Sequence, residues 1–348
     1  MTATRPDSAE LLAAHTTLRV GGPARRWVHA RTEEELITAV AEADAAGEPV
    51  LLLGGGSNVL IDDSGFEGVV VLIETRGITV TDSSACGGAE VRVAAGEVWD
   101  DIVARAVAEG WAGVEALSGI PGLVGATPIQ NVGAYGAEVA SVVARVRTWD
   151  RREGRISTLF AADCDFAYRH SAFKADPQRW VVLEVVFAFE LADLSAPVRY
   201  AELARRLGVE LGERVPAAQV RSAVLELRAG KGMVLDQADH DTWSAGSFFT
   251  NPLLEPDAAA RLPEDAPRYP AGEKIKTSAA WLIEHAGFTK GYGAGPATLS
   301  TKHTLALTNR GSATAADVLT LAREVRDGVR EQFGITLVNE PVMINCEL

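Results

Sequence analysis

Between residues 117 and 136 the chain reads LSGIPGLVGATPIQNVGAYG. Its glycines break any helical or strand period. Yet Ile120, Leu123, Val124 and Ile129 make the run too apolar for a solvated linker. Irregular backbone that is buried must find partners for its N–H and C=O groups. A ligand rich in acceptor oxygens supplies them, and glycines let backbone amides reach a diphosphate closely. The plainer reading is a loop packed on itself.

A second glycine cluster in the same half weighs against that reading. Residues 49–53 (PVLLL) read as a buried strand that runs into Gly54-Gly55-Gly56-Ser57-Asn58-Val59. Glycines after a strand permit positive φ and close approach to a phosphate. On its own this cluster reads equally well as a tight turn. It is not the dinucleotide fingerprint, because GxGxxG needs Gly at position 59 and finds Val59; nor is Gly230-Lys231-Gly232 a Walker A loop.

The surrounding pattern is mixed α and β. Residues 32–46 predict a helix with a Thr32/Glu35 capping box and an apolar face of Leu36, Ile37, Val40 and Ala41. A turn at 62–65 leads to a strand at 68–73, and another strand is predicted at 91–95. Residues 98–109 predict an amphipathic helix stopped by Gly110. Strands dominate 142–190. Short helices follow at 201–207, 217–228 and 277–286, and the strongest helical period covers 315–333, ended by Gly334. Residues 335–344 read as one returning strand. Residues 232–243 read as a polar connection between domains.

The chain has 348 residues, enough for two or three domains. Its formal net charge of −14 excludes a general nucleic-acid binder and a basic membrane-surface protein. An anionic ligand must therefore be held by local Lys, Arg and backbone N–H groups. Cys86, Cys164 and Cys346 are too scattered for a disulfide scaffold or a metal knuckle, which suits a reducing cytoplasm. No signal peptide is visible, and the apolar runs are too short to span a bilayer.

Three positions carry candidate chemistry. Arg169, in the run YRHSAFK, is always charged and suits an oxyanion, although spacing alone favours a surface Arg covering an aromatic ring. Ser247, in GSFFTNP, can donate a proton in a confined apolar site, or merely satisfy a core hydrogen bond. Glu340 stands in the predicted C-terminal strand, either as a pocket acid or as an edge residue. The six histidines form no HExxH motif and no cluster. Asp236, Asp239, His240 and Asp241 read as a solvated loop rather than a metal site, and no metal is expected.

In this order the segments resemble the UDP-N-acetylenolpyruvoylglucosamine reductase (MurB) family. The resemblance runs from TLRVGGPA at 17–24 through GGGSNVL, the long glycine run, YRHSAFK and GSFFTNP to NEPVMI at 339–344, nearly the whole chain. It implies an α+β fold: a two-part FAD-binding unit of the vanillyl-alcohol-oxidase/PCMH type plus a separate α+β substrate-binding domain. The implied boundaries are 1–75 for the first FAD-binding part, 76–232 with a return of 334–348 for the second, and 233–333 for the substrate domain.

The resemblance also implies non-covalent FAD, with NADPH as reductant and a UDP-sugar enolpyruvyl ether as substrate. The enzyme would serve peptidoglycan precursor synthesis in the cytoplasm, without nucleic acid, membrane insertion or an obligatory protein partner. FAD would contact Gly54, Gly55, Gly56, Ser57, Asn58, Ser118, Gly119, Ile120, Pro121, Gly122, Gly125, Ala126, Gly133 and Ala134. Arg169 and Glu340 would stabilise an enolate, and Ser247 would protonate it. Tyr168, Tyr200, Lys231 and Asn251 would hold the substrate, Tyr200 being the closing tyrosine of one of the family's two subtypes. Two rival readings are a flavin oxidase of the same broad fold and a nucleotide-binding regulator that has lost its chemistry. The first would not need YRHSAFK, GSFFTNP and Glu340 together, and the second would be expected to lack Arg169, Ser247 or Glu340.

Overall fold

The structure, a computed structural model, describes residues 11–84 and 88–348. Residues 1–10 and 85–87, the latter including Cys86, lie outside the described residues. The chain gathers into two compact units. One is Arg25–Gly55 with Gly68–Ala229; the other is the described part of Met1–Ala24 with Gly56–Glu67 and Gly230–Leu348.

The 25–55/68–229 unit begins with the expected helix, Glu33–Ala45. The Thr32 hydroxyl accepts from Glu35 N, and the Glu35 carboxylate accepts from Thr32 N, each at 3.1 Å. Such a cap is worth about 1 kcal/mol. The buried face is Leu36, Ala39, Val40 and Ala43, which pack on Val69, Val71, Val181 and Leu183. Val50–Leu53 pairs in parallel with Phe66–Ile73 in a three-stranded sheet.

A larger antiparallel sheet follows, in the order Arg155–Phe160, Val143–Asp150, Trp180–Leu191, Gly88–Ala94 and Ile78–Ser84. The helix Trp99–Ala108 buries Trp99, Ile102, Val103 and Ala106, and the core they join includes Val91, Val93, Val185 and Phe187 of the sheet. Gly110, at φ 71°, supplies the left-handed residue just past its end. The Trp99 indole N–H donates to Leu117 O at 3.2 Å, so this core anchors the start of the glycine run. That run is irregular, as expected, with only a short 3₁₀ turn at Val124–Ala126 and a two-residue ladder pairing Gly133–Ala134 with Ala137–Glu138.

The other unit is organised around the helix Ala315–Phe333, at the bounds the sequence predicts. Asp63 accepts from Ala315 N at 2.8 Å and Ala316 N at 3.2 Å, placing a carboxylate at the positive helix end. Gly334, at φ 68°, closes the helix. Val318, Ala322, Val325 and Val329 share a core with Leu282, Ile283, Leu299, Leu307, Phe248 and Phe249.

The structure departs from the sequence reading at three points. First, the expected 1–75 part is split, with Arg25–Gly55 in one unit and Gly56–Glu67 in the other, and 334–348 groups with the latter, because Val342–Ile344 pairs in parallel with Val59–Ile61. Second, the strand expected over 335–344 shrinks to Val342–Ile344. Pro341 lacks a ladder donor, and the residues before it are caught singly: Thr250 N donates to Val338 O at 3.0 Å, and Glu340 N donates to Phe248 O at 2.8 Å. Third, the acidic stretch is a solvated loop only in part: Asp236 is exposed, but the end of the stretch is not. Asp241 is buried and accepts from Thr301 N and Arg310 Nη1, each at 2.9 Å, and from the Thr301 hydroxyl. Asp239 pairs with Lys302 at 2.5 Å.

Candidate active site

The glycine segments meet in the 25–55/68–229 unit. A Cβ on Gly55 would stand 2.9 Å from Gly122 Cα, and one on Gly125 would stand 2.6 Å from Ala95 Cβ. Either side chain would fill the gap, so these backbones approach as only glycine allows. Trp99 N donates to Gly122 O, Val124 N to Glu97 O and Gly125 N to Ala95 O, at 2.8–3.0 Å. Gly119, at φ 70°, gives its N–H to the Asp100 carboxylate at 2.6 Å. Asp100 is also gripped by Arg221 at 2.7 and 2.8 Å. Burial pushes the Asp100 carboxyl up, but Arg221 and the Gly119 amide outweigh that, so it stays below the usual range.

The glycine backbones thus form a narrow cradle, and the N–H groups named here are spent on holding it together. Ser118 is fully buried and commits its hydroxyl to Glu115 O at 2.7 Å, so it shapes the loop. Pro121 and Ala126 lie exposed on the same run, with Ile120, Gly133 and Ala134 half-buried. Gly56, Ser57 and Asn58 belong to the other unit. Gly56, at φ 58°, is pressed where a Cβ would collide with His15 O. No group of three or more metal-ligating side chains occurs among the described residues.

Arg169 lies in the cradle's unit, in a tight turn closed by Ala167 N to His170 O at 3.2 Å and His170 N to Ala167 O at 3.1 Å. Its φ is 54°, and its guanidinium donates to Gly133 O at 3.1 Å. The guanidinium also lies 5.4 Å from the centre of the Tyr168 ring, so the bland reading of an Arg over an aromatic is met as well. Tyr200, 43% exposed, meets Tyr135 edge-on at 5.5 Å. Burial pushes the Tyr135 phenol up to about 12.

Ser247 and Glu340 lie in the other unit, where Phe248 O accepts from Glu340 N. Asn58 reaches the same segment, its Nδ2 donating to Glu340 O at 3.5 Å. Phe248 and Phe249 are each 1% exposed, whereas Ser247 is only half-buried beside them. Lys231, half-buried, and Asn251 share this unit. Asn251 Oδ1 accepts from Ala279 N at 2.9 Å, capping the helix Ala279–His285, so a ligand contact would fall to its amide nitrogen.

Two residues with evident structural roles at the site escaped the sequence reading, Asp100 and Asn131. Asn131 was hidden inside the glycine run, and Asp100 looked like an ordinary helix surface residue.

The FAD binding domain family model matches residues 24–159, the stretch that holds both glycine segments. The fold and cradle therefore define a flavoprotein oxidoreductase: an α+β FAD-binding portion of the vanillyl-alcohol-oxidase/PCMH type with a distinct C-terminal domain. A second model, "UDP-N-acetylenolpyruvoylglucosamine reductase, C-terminal domain", matches residues 237–344. The UDP-N-acetylenolpyruvoylglucosamine reductase of Cutibacterium acnes is 60% identical, covering 97% of this chain and 90% of that one. That of Streptomyces coelicolor is 59% identical over the same shares. The crystal structure of the MurB from Thermus caldophilus aligns with a TM-score of 0.65 at 26% identity, covering 97% of this chain and 98% of that one. The chain belongs to the UDP-N-acetylenolpyruvoylglucosamine reductase family.

Proposed function

We propose that this protein is the FAD-dependent reductase that converts UDP-N-acetylglucosamine enolpyruvate to UDP-N-acetylmuramate at the expense of NADPH, in peptidoglycan precursor synthesis. FAD, bound without a covalent link, supplies the hydride chemistry between NADPH and the terminal carbon of the enolpyruvyl ether. The chain's own residues do the rest. Hydride addition leaves an enolate whose charge spreads onto the substrate carboxylate. Arg169 faces that charge with a cation that never deprotonates. Glu340 helps only in its protonated form, as a hydrogen-bond donor. Ser247 then gives its proton to the carbon next to the carboxylate, and a neutral hydroxyl suffices because the enolate is strongly basic.

Lys231, Asn251, Tyr168 and Tyr200 hold the nucleotide sugar, with Lys231 and Tyr200 on the diphosphate. The observation that supports this reading best is the tether from Glu340 N to Phe248 O, which sets the acid beside the residue after Ser247. We place the enzyme in the cytoplasm, working without nucleic acid, membrane insertion or an obligatory protein partner. Its net charge of −14 and the free thiols of Cys164 and Cys346 support this.

The purified protein is expected to be yellow and to release FAD on denaturation. NADPH should bleach the flavin anaerobically, and the enolpyruvyl sugar alone should restore the colour. A colourless protein that FAD cannot reconstitute, or reduction by a small alcohol in place of NADPH, overturns the reading.

A further inference from the structure

The second half of the glycine run does more than line a cradle. Asn131 sits within it at φ 47° with its side chain 1% exposed. An asparagine tolerates this left-handed backbone better than most residues. Its amide is committed on both sides. Oδ1 accepts from Ala140 N at 3.1 Å; Nδ2 donates to the Glu138 carboxylate at 2.8 Å and to Ala167 O at 3.2 Å. The last bond leaves the glycine run altogether and reaches 36 residues along the chain.

Ala167 is the hinge of the Arg169 turn. Its own N–H and C=O close that turn against His170. The far side of the turn is tied to the same run, because the Ser171 hydroxyl donates to Ile129 O. The guanidinium is tied to it a third time, through Gly133 O. A Cβ on Gly133 would come within 3.4 Å of Arg169 Nη1, so the run approaches the guanidinium without side-chain bulk. Lys174 Nζ donates to Arg169 O at 3.0 Å from the next short helix, Ala172–Ala175. Residues 129–133 thus grip the turn before Arg169, after it and at its charged tip, and the Asn131 side chain itself reaches the turn.

From this geometry we infer that Asn131 is a positioning residue for Arg169: its amide fixes the turn from which the guanidinium is aimed. The inference rests on the role given to Arg169 above. A guanidinium that stabilises an enolate must meet it within a narrow angle, and a turn with a left-handed Arg at its centre has no regular ladder to hold it. Releasing Ala167 O from Asn131 removes the strut that ties the start of the turn to the glycine run. The flavin reduction by NADPH involves no enolate, so it should be indifferent to this strut.

Three variants test it by anaerobic stopped flow on the holoenzyme. Asn131→Gly keeps the left-handed backbone at no steric cost and removes only the amide. Asn131→Asp keeps the size and the acceptor for Ala140 N but loses the donor to Ala167 O and to the Glu138 carboxylate, which it would also repel. Arg169→Ala reports whether the arginine acts as proposed. With FAD retained, both Asn131 variants should leave flavin reduction by NADPH within about twofold. Reoxidation by the enolpyruvyl sugar should slow about ten- to a hundredfold, with the apparent Kd of the sugar little changed; this is the worth of a misaligned charge-assisted contact.

If Arg169→Ala slows reoxidation and both Asn131 variants do not, the inference falls while the role of Arg169 stands. If Arg169→Ala leaves reoxidation unchanged, the role of Arg169 falls and the inference with it. If Asn131→Gly fails to fold, the Asp variant decides alone. Equal slowing of both half-reactions in a folded variant also overturns the inference, since that is the mark of general loosening.

Discussion

Arg169 and Ser247 are held by different means. Around Arg169 the hold is made largely by side chains: the Asn131 amide and the Lys174 ammonium each reach a carbonyl of its turn, and the Ser171 hydroxyl, just after the turn, reaches Ile129 O of the glycine run. Beside Ser247 it is made by main chain, with Phe248 O taking Glu340 N, Phe248 N donating to Leu305 O and Thr250 N donating to Val338 O. The contrast matches the work proposed for each. A guanidinium must be aimed as a rigid fork, so its whole turn is braced. A hydroxyl rotates about one bond, so a backbone placed near the right carbon is enough. The left-handed Arg169 also needs the braces more, since strain of order 1–3 kcal/mol persists only where neighbours over-determine it.

The sharpest way to break this comparison is on the backbone-held side. Ser247→Ala deletes the hydroxyl proposed as proton donor and touches none of those main-chain bonds. Flavin bleaching by NADPH should stay near the wild-type rate, and reoxidation by the enolpyruvyl sugar should slow by at least about 10²–10⁴. Ser247→Cys should recover part of it, since a thiol is the stronger acid. If Ser247 only satisfies a structural hydrogen bond, the loss appears as about 1–3 kcal/mol of stability with both half-reactions alike.

A smaller effect is expected at the residues proposed to hold the substrate. Lys231→Ala should raise the KM of the UDP-sugar about ten- to a hundredfold, with kcat less affected, the range of a charge-assisted contact to a diphosphate. Tyr200→Phe should raise it less, because an exposed phenol has water to compete with. Unchanged KM in both would remove these two residues from the site.

The smallest effect concerns Asp241, a side-chain hub within the unit that carries Ser247. Burial pushes its carboxyl up, but the bonds from Thr301 and the charge of Arg310 pull it down further, leaving it below the ordinary value of 3.8. Its contribution is therefore complete above that value and is lost as pH falls through the lowered one. The Tm gap between wild type and Asp241→Asn should be level near neutrality and close below about pH 4. A gap that widens with acid would contradict the sign.

Much of this was legible in the sequence where the signal is local. The helices Ala201–Leu207 and Ala315–Phe333 carry their period and their terminating glycines within their own residues. The Thr32/Glu35 box needs no distant partner either. What could not be read depends on residues far apart in sequence. Asp241 looked like a solvated acid because Thr301 and Arg310, which neutralise and bury it, lie 60 and 69 residues away. The segment before Pro341 looked like a strand because its apolar alternation is real, but its main chain is claimed singly by Phe248 and Thr250. Ser247 and Glu340 are each ambiguous as single residues, and it is the fold that brings Glu340 N to Phe248 O, next to Ser247.

The Asp63 cap on the helix Ala315–Phe333 joins positions 252 residues apart, and the Thr17 hydroxyl reaches Ser244 O across 227. During synthesis at roughly 5–20 residues per second, Gly56–Glu67 leaves the ribosome about ten to fifty seconds before the helix it caps. Arg25–Gly55 is already out, and in that interval the chain emits Gly68–Ala229, the rest of what that unit needs to condense. Assembly on the ribosome is therefore ordered: the cradle-bearing unit can close first. The early pieces of the other unit wait in solution until the last third of the chain arrives to complete it.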